Sequence, residues 1–198
     1  YAYLPFYFWD LLEDNGKISI IVSNSWMGTK WGEIFYEALG YFFDIEGIVT
    51  SGNGRWFNNA KVVTNIITLK KKQPSPPRSD YSTIFTVTKN KLADYSNEEL
   101  EEVSAMISSK SLADENDISI RSYTHEQLKE LRELGLNLNS FFASNEWLLE
   151  IGSKLTKVST LFDIARGERR GWDKLFYPEN KNDIEESYLK PVLKTPRS

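Results

Sequence analysis

The sequence predicts an α/β fold, with a mixed β-sheet in the first 72 residues and a mainly α+β segment after it. A continuous apolar run at residues 17–22 is typical of a strand covered on both faces. Two further runs, at 44–49 and 62–70, have the composition and alternation of strands. Only twelve residues separate these two runs, and glycines occur among them, so we expect the two strands to be antiparallel neighbours.

Two helices are predicted around the first strand. The earlier one lies within residues 1–15, ends at Asn15 and Gly16, and is expected to pack on the sheet. Its predicted packing stripe consists of Leu4, Tyr7, Phe8, Leu11 and Leu12. The later helix is capped by Thr29 and can end at Gly40. Its apolar positions are Trp31, Ile34, Phe35, Ala38 and Leu39.

Beyond residue 72 the pattern changes. Clustered Pro and Ser at 73–79 oppose both helix and interior strand, so this segment is the best boundary. A strand is predicted at 81–88, followed by a helix that begins with a capping box of Ser96 and Glu99. The predicted buried stripe of that helix is Leu100, Val103, Met106 and Ile107. Residues 93–117 contain eight acidic residues and one lysine, and we expect this acidic face to point away from any nucleic acid.

Another strand and another helix follow. The strand is predicted at 118–123, and the helix begins with Thr124 and Gln127 as a capping box and ends at Gly135. His125, the only histidine, falls in its first turn, and we interpret it as a surface residue without chemistry. Three domains are expected: 1–72, 73–140 as a linker or insertion with acidic helices, and 141–198.

Composition excludes some classes of function. The chain has 198 residues, 40% hydrophobic and 26% charged, with a formal net charge of −4, so overall charge does not indicate nucleic-acid binding. The absence of cysteine excludes disulfides and thiolate sites, and a single histidine excludes a multi-histidine metal centre. No run of eighteen apolar residues predicts a membrane span. These features fit a cytoplasmic protein.

Three segments of the first 72 residues form an ordered set of motifs. They read GKISIIVSNSW from Gly16, IEGIV from Ile45 and WFNNAKVVTNIITL from Trp56. Together they resemble the second half of the catalytic domain of adenine-specific (N6) DNA methyltransferases, especially the large enzymes of type II restriction-modification systems. The resemblance implies that these are the fifth, sixth and seventh strands of a Rossmann-like sheet, with the seventh inserted antiparallel.

Two motifs of that family do not occur in this chain. The family binds S-adenosylmethionine with a Gly-rich strand-to-helix turn and makes the adenine amine nucleophilic with an Asn/Asp-Pro-Pro-Tyr/Phe loop, and both lie upstream of the matched segments. The only adjacent prolines, Pro76 and Pro77, lack the flanking residues of that loop. We therefore expect a C-terminal piece of a larger enzyme, inactive alone. It would need the missing N-terminal half as partner and S-adenosylmethionine as cofactor of the intact enzyme.

The window 154–174 carries six basic and three acidic residues within an acidic chain. Arg166, Arg169, Arg170 and Lys174 are candidates for contact with DNA phosphates or base edges, although a basic loop is often only solvated surface. The segments at 161–165 and 183–194 resemble the opening of the family's target recognition domain. The resemblance implies that double-stranded DNA is a partner and that residues 141–198 begin that domain.

Four residues, and one alternative to the first of them, are candidates for the target-base site. Phe57 matches the family's aromatic residue that stacks on an extruded adenine, with Trp56 as the alternative if the register shifts by one. Stacking on an aromatic ring offsets part of the free energy needed to unstack a base. A core aromatic residue at the end of a hairpin would have the same sequence pattern. Asn24, Ser25 and Trp26 follow the first strand, where ligands of open sheets collect, and could line an adenine pocket or form an ordinary loop.

The sequence therefore predicts a fragment of a site-specific DNA adenine-N6 methyltransferase that contributes base stacking and DNA binding. The alternative is a noncatalytic specificity or partner-binding subunit that completes a split methyltransferase. A hydrolase is disfavoured because no Ser-His or Gly-x-Ser-x-Gly arrangement occurs.

Overall fold

The computed structural model of the chain describes residues 1–57, 59, 61–72, 81–90, 94–109, 112–114, 117–165, 180 and 184–190. The chain forms two compact units, Tyr1–Leu155 and Thr156–Ser198. Among the residues described in the second unit, two short 3-10 turns occur, Val158–Thr160 and Glu186–Tyr188. No helix in the described ranges is long and apolar enough to cross a membrane.

A six-stranded mixed sheet forms the centre of the first unit, with strand order β1-β3-β2-β4-β6-β5. The strands are β1 Lys17–Ser23, β2 Phe43–Ser51, β3 Thr64–Lys71, β4 Ser82–Thr88, β5 Ala113–Asp114 and β6 Ile118–Thr124. β3 lies between β1 and β2 and is antiparallel to both, whereas β2 and β4 are parallel. The antiparallel pairing inferred from the short loop, and the mixed α/β fold, are confirmed.

The predicted domain division differs from this arrangement. β4 and β6, which belong to the predicted insertion 73–140, hydrogen-bond to each other, and β4 pairs with β2. One sheet therefore spans the boundary predicted at residue 72, and the first compact unit continues past 140 to Leu155. Clustered prolines end a strand, but they do not prevent the chain from returning to the same sheet.

Five helices occur in the described part of the chain: α1 Leu4–Trp9, α2 Lys30–Phe42, α3 Asn97–Ser109, α4 His125–Glu133 and α5 Trp147–Ile151. Thr29 caps α2 by accepting a hydrogen bond from the Gly32 N–H, as predicted. The Thr124 and Gln127 capping box of α4 is present in full, and Gly135 follows it with φ +103°. His125 is exposed.

Two predicted packing stripes are wrong in detail. Leu4 and Tyr7 of α1, and Leu11 after it, are exposed, and the helix packs through Phe6 and Trp9 against the aromatic residues of α2. Both faces of this short helix are aromatic, so spacing alone does not choose between them. In α3, Val103, Met106 and Ile107 pack against a small core cluster of the sheet as predicted, whereas Leu100 is exposed.

β1 also departs from its prediction, because it lies at the edge of the described sheet and has one covered face. Ile18, Ile20 and Val22 pack in the main core, whereas Ile21 is 57% exposed on the opposite face. An apolar run is therefore compatible with a strand that is covered on one side only within the described chain.

The buried phenol of Tyr36 in α2 makes the free energy of unfolding depend on pH in the alkaline range. Burial raises the pKa of the Tyr36 phenol to about 12 from 10.0, against opposing effects of a hydrogen bond with Thr83 and the charge of Arg132. Between these two values the unfolded chain releases the proton and the folded chain retains it. The free energy of unfolding should therefore be undiminished below pH 10 and fall by roughly 2–3 kcal/mol as pH rises through 12.

Urea denaturation between pH 8 and pH 12 measures this effect. Tyr36→Phe should flatten the decline, while burial of Tyr81, whose pKa is also raised, leaves part of it. The control is Tyr41→Phe, because the Tyr41 side chain is 81% exposed. An equally steep decline in Tyr36→Phe and in the unsubstituted chain would contradict the assignment.

Candidate functional site

The carboxyl ends of β1, β2 and β4 meet at one edge of the sheet, where antiparallel β3 begins. Ligands of open α/β sheets bind at such an edge. The loop after β1 and the loop between β2 and β3 are joined there by a hydrogen bond from the Asn24 N–H to the Val63 carbonyl, at 2.9 Å. The structure therefore brings the two predicted candidate segments to the same edge.

The turn after β1 is held firmly by α2. It is a 3-10 turn, Asn24–Trp26, and the Ser23 hydroxyl accepts a hydrogen bond from the Ser25 N–H at its start. The Thr29 hydroxyl donates to the Trp26 carbonyl at 2.6 Å. A Cβ atom on Gly32 would lie 1.8 Å from that carbonyl oxygen, so only glycine allows α2 this close.

The three candidates in this turn differ in exposure. The Trp26 side chain is fully buried and packs edge-on against Phe35, with ring centroids 5.5 Å apart. The prediction that Trp26 lines a surface pocket therefore does not fit this structure, because its ring is a core residue. Ser25 is exposed and Asn24 half-buried, so these two reach the surface, and their contact with adenine stays a prediction.

Phe57 and Trp56 have opposite environments in the loop between β2 and β3. Trp56 is 9% exposed, and its indole N–H donates to the Thr88 hydroxyl at 3.3 Å. The Phe57 side chain is 42% exposed. An exposed ring directly after a buried one fits the predicted register, in which Phe57 is available for stacking and Trp56 is not. The stacking role itself stays a prediction.

A group of buried polar side chains was not singled out by the sequence patterns. Asn65 is 0% exposed, and neither its amide oxygen nor its amide nitrogen has a hydrogen-bond partner within the described chain. It lies near the start of β3, opposite Val22 and Thr50. The Trp26 indole N–H and the Thr64 hydroxyl also lack partners in the described ranges. An asparagine inside an apolar strand pattern was the available signal.

The Asn65 amide is buried without a hydrogen-bond partner in the described chain, which lowers the stability of the folded state. Asn65→Val should therefore stabilise the chain. Removing a buried amide without partners and placing a β-branched side chain in a strand should raise the free energy of unfolding by about 1–3 kcal/mol. Urea denaturation of both proteins measures the change. Thr64→Val is the matched comparison and should have a smaller effect of the same sign, because it removes a neighbouring unpartnered hydroxyl. A destabilised Asn65→Val chain would show that the amide has a partner in solution.

A charged groove of about 580 Å³ lies between α2 and α4. Arg132 occupies it, with one nitrogen 2.8 Å from a Glu33 carboxylate oxygen and 2.9 Å from one of Glu37. The guanidinium also lies 5.4 Å from the ring centre of Tyr36. These ion pairs join the two helices across the sheet face, and they assign no ligand to the groove.

The predicted DNA-binding residues Arg166, Arg169, Arg170 and Lys174 lie outside the described residues. The preceding segment 161–165, which resembles the opening of the recognition domain, forms no strand, and its Leu161 and Phe162 are exposed. A role for the four basic residues in DNA binding therefore stays a prediction.

The fold is thus a mixed α/β sheet with its candidate site at the carboxyl edge. No family model matches the chain, and no curated protein is significantly similar to it. Among solved structures, the type IIG restriction endonuclease BpuSI is similar with 17% identity and a TM-score of 0.47, over 91% of this chain and 21% of that one. The methyltransferase subunit of a type I restriction-modification system from Streptococcus thermophilus has 16% identity and a TM-score of 0.45, over 61% and 25%. This chain therefore spans a quarter or less of either protein.

Proposed function

We propose that the chain is the distal part of the catalytic domain of a DNA adenine-N6 methyltransferase of a restriction-modification system. The observation that carries the proposal is the placement of β3, antiparallel between β1 and β2, with the exposed Phe57 in the loop that leads into it. The resembled family implies that topology, and it implies an aromatic residue at that position.

The chemistry assigned to this chain is stabilisation of an extruded base. An enzyme that modifies adenine N6 must take the base out of the duplex stack, which costs a few kcal/mol. Stacking on an aromatic ring returns about 1–3 kcal/mol per base. Phe57 would supply that ring, and Asn24 and Ser25 lie at the same sheet edge.

The residues present do not fit an S-adenosylmethionine site. The turn after β1, Asn24–Trp26, contains no glycine, and its tryptophan is buried in the core. The chain also lacks the Asn/Asp-Pro-Pro-aromatic sequence. Cofactor binding and activation of the adenine amine, which attacks the methyl group, are therefore assigned to residues outside this chain, and the chain alone should not methylate DNA.

The partner that would supply those residues is the N-terminal half of the same enzyme, and the first unit has a surface suited to it. β1 ends the described sheet, so one row of its backbone N–H and C=O groups is open to another strand. The N-terminal segment around α1, residues 3–11, exposes Tyr3, Tyr7 and Leu11 at 87%, 71% and 69%. An added strand would cover the β1 edge, and an added helix would cover this apolar surface.

Double-stranded DNA is the proposed substrate, and the cytoplasm is where such an enzyme would meet it. The basic window 154–174 is proposed to contact the DNA, with Arg166, Arg169, Arg170 and Lys174 as the contacting residues. The acidic helix α3 is proposed to face away from the DNA.

Sequencing the source DNA upstream of the Tyr1 codon tests the proposal first. The expected result is an open frame encoding a Gly-rich turn and an Asn/Asp-Pro-Pro-Tyr/Phe loop.

The complete enzyme, incubated with DNA and S-adenosylmethionine, should then yield N6-methyladenine in digested nucleosides analysed by mass spectrometry. If methylcytosine is found instead, the adenine assignment is rejected, but the assignment as a DNA methyltransferase is retained. If both motifs are absent from the upstream reading frame and from neighbouring genes, the proposal is rejected. The motifs in a neighbouring gene would favour a subunit that completes a split enzyme.

A further inference from the structure

We propose that Trp56 is a positioning residue that holds Phe57 against the target base through its hydrogen bond to Thr88. This inference rests on the proposed function, and it adds a residue that the family resemblance does not assign. Trp56 itself is 9% exposed and does not reach the base; it acts through the loop.

The loop between β2 and β3 is attached to the end of β4 at two points. The Gly52 N–H donates to the Thr88 carbonyl at 2.8 Å, and the Trp56 indole N–H donates to the Thr88 hydroxyl at 3.3 Å. A Cβ atom on Gly52 would lie 2.8 Å from a Val87 methyl carbon, so the loop begins in close contact with β4. Thr88 is 2% exposed, so both attachments lie inside the protein.

Packing alone does not fix the Trp56 ring. One side of it borders a cavity of about 460 Å³ between the sheet and α3, which is also lined by Ile66, Ile84 and Thr86. A ring beside open space can tilt, because it lacks packing partners on that side. The directional bond to Thr88 therefore selects one ring position, and the next residue in the chain is Phe57. A fixed loop presents the Phe57 ring without the entropic cost of ordering it during base extrusion.

Two substitutions at Thr88 test the bond in the complete enzyme. Thr88→Val removes the hydroxyl that accepts the indole N–H and donates to the Thr50 carbonyl at 3.5 Å, whereas Thr88→Ser keeps it. We expect Thr88→Val to increase hydrogen exchange of the amides at 53–57 about fivefold and to lower turnover by a similar factor. Thr88→Ser should stay within about twofold of the unsubstituted enzyme. Thr86→Val is the matched control, because Thr86 lies buried on the same strand and its hydroxyl has no partner in the described chain.

A double-mutant cycle separates positioning from a structural effect. If Trp56 acts through Phe57, the Trp56→Ala and Phe57→Ala double variant should turn over no more slowly than Phe57→Ala alone. DNA affinity should be unchanged within about twofold, while the fluorescence of 2-aminopurine at the target position, which reports extrusion, should fall.

Each outcome decides the inference. Multiplicative losses in the double variant, or equal behaviour of Thr88→Val and Thr88→Ser, would overturn positioning by Trp56. If Phe57→Ala has full activity, both the stacking role of Phe57 and the positioning role fail. If Phe57→Ala is impaired while the Thr88 pair shows no difference, the proposed function stands and the positioning inference fails. Should Trp56→Ala not fold, the Thr88 pair still decides.

Discussion

Phe85→Ala should destabilise the first unit more than any other substitution considered for this protein, by about 3–5 kcal/mol. Phe85 is 0% exposed at the centre of β4, and its ring lies 5.4 Å from Phe141, 5.4 Å from Phe142 and 6.0 Å from Tyr123, measured between ring centroids. Removing it leaves a cavity surrounded by three aromatic rings, which cannot collapse without losing contact with the sheet.

The loss should appear in urea denaturation followed by circular dichroism. Phe162→Ala is the control, because the same atoms are removed from a side chain that is 66% exposed. We expect the control to change the free energy of unfolding by less than about 0.5 kcal/mol. A loss below about 1 kcal/mol for Phe85→Ala would mean that Phe141 and Phe142 do not pack on β4 as the structure has them.

Phe57→Ala should have the largest effect on activity. Loss of one aromatic stacking partner is worth about 1–3 kcal/mol, so turnover of the complete enzyme on duplex DNA should fall by between about fivefold and about a hundredfold. The Phe57 ring is 42% exposed, so folding should be nearly unaffected. DNA binding should also persist, since its affinity comes mainly from phosphate contacts.

Two further variants of Phe57 identify the cause. Phe57→Tyr keeps an aromatic face and should retain most activity, while Phe57→Leu keeps apolar bulk and should resemble Phe57→Ala. A mismatch at the target base lowers the cost of extrusion, so the penalty of Phe57→Ala should shrink on that substrate. Unchanged turnover of Phe57→Ala on matched duplex DNA would remove Phe57 from the site.

The first three strands could be predicted because they are apolar runs separated by short loops. β1, β2 and β3 were located within one or two residues, and the antiparallel pairing followed from loop length. The addition of β4 and β6 to the same sheet could not be predicted. Long-range pairing leaves no local pattern, and the proline cluster before β4 favours a boundary.

The candidate site was predictable only in part, because exposure decides which residue of a pair can act. Trp56 and Phe57 are both aromatic and adjacent in the sequence, but Trp56 is buried with its indole N–H bonded to Thr88, whereas Phe57 is exposed. Trp26 follows a strand end as a ligand-binding residue would, yet its ring fills the core beside Phe35. Asn65 stands out in the sequence only as an amide within an apolar strand, and the structure adds that this amide is buried without a partner in the described chain.

The insertion of β3 also determines the order in which the protein can fold as it is synthesised. β3 pairs with β1 along one edge, from Ser23 opposite Thr64 to Lys17 opposite Lys70. It pairs with β2 along its other edge. Until Lys71 leaves the ribosome, the strands already made lack the neighbour that lies between them. During this interval the facing backbone edges of β1 and β2 stay open, and open strand edges favour pairing with other chains.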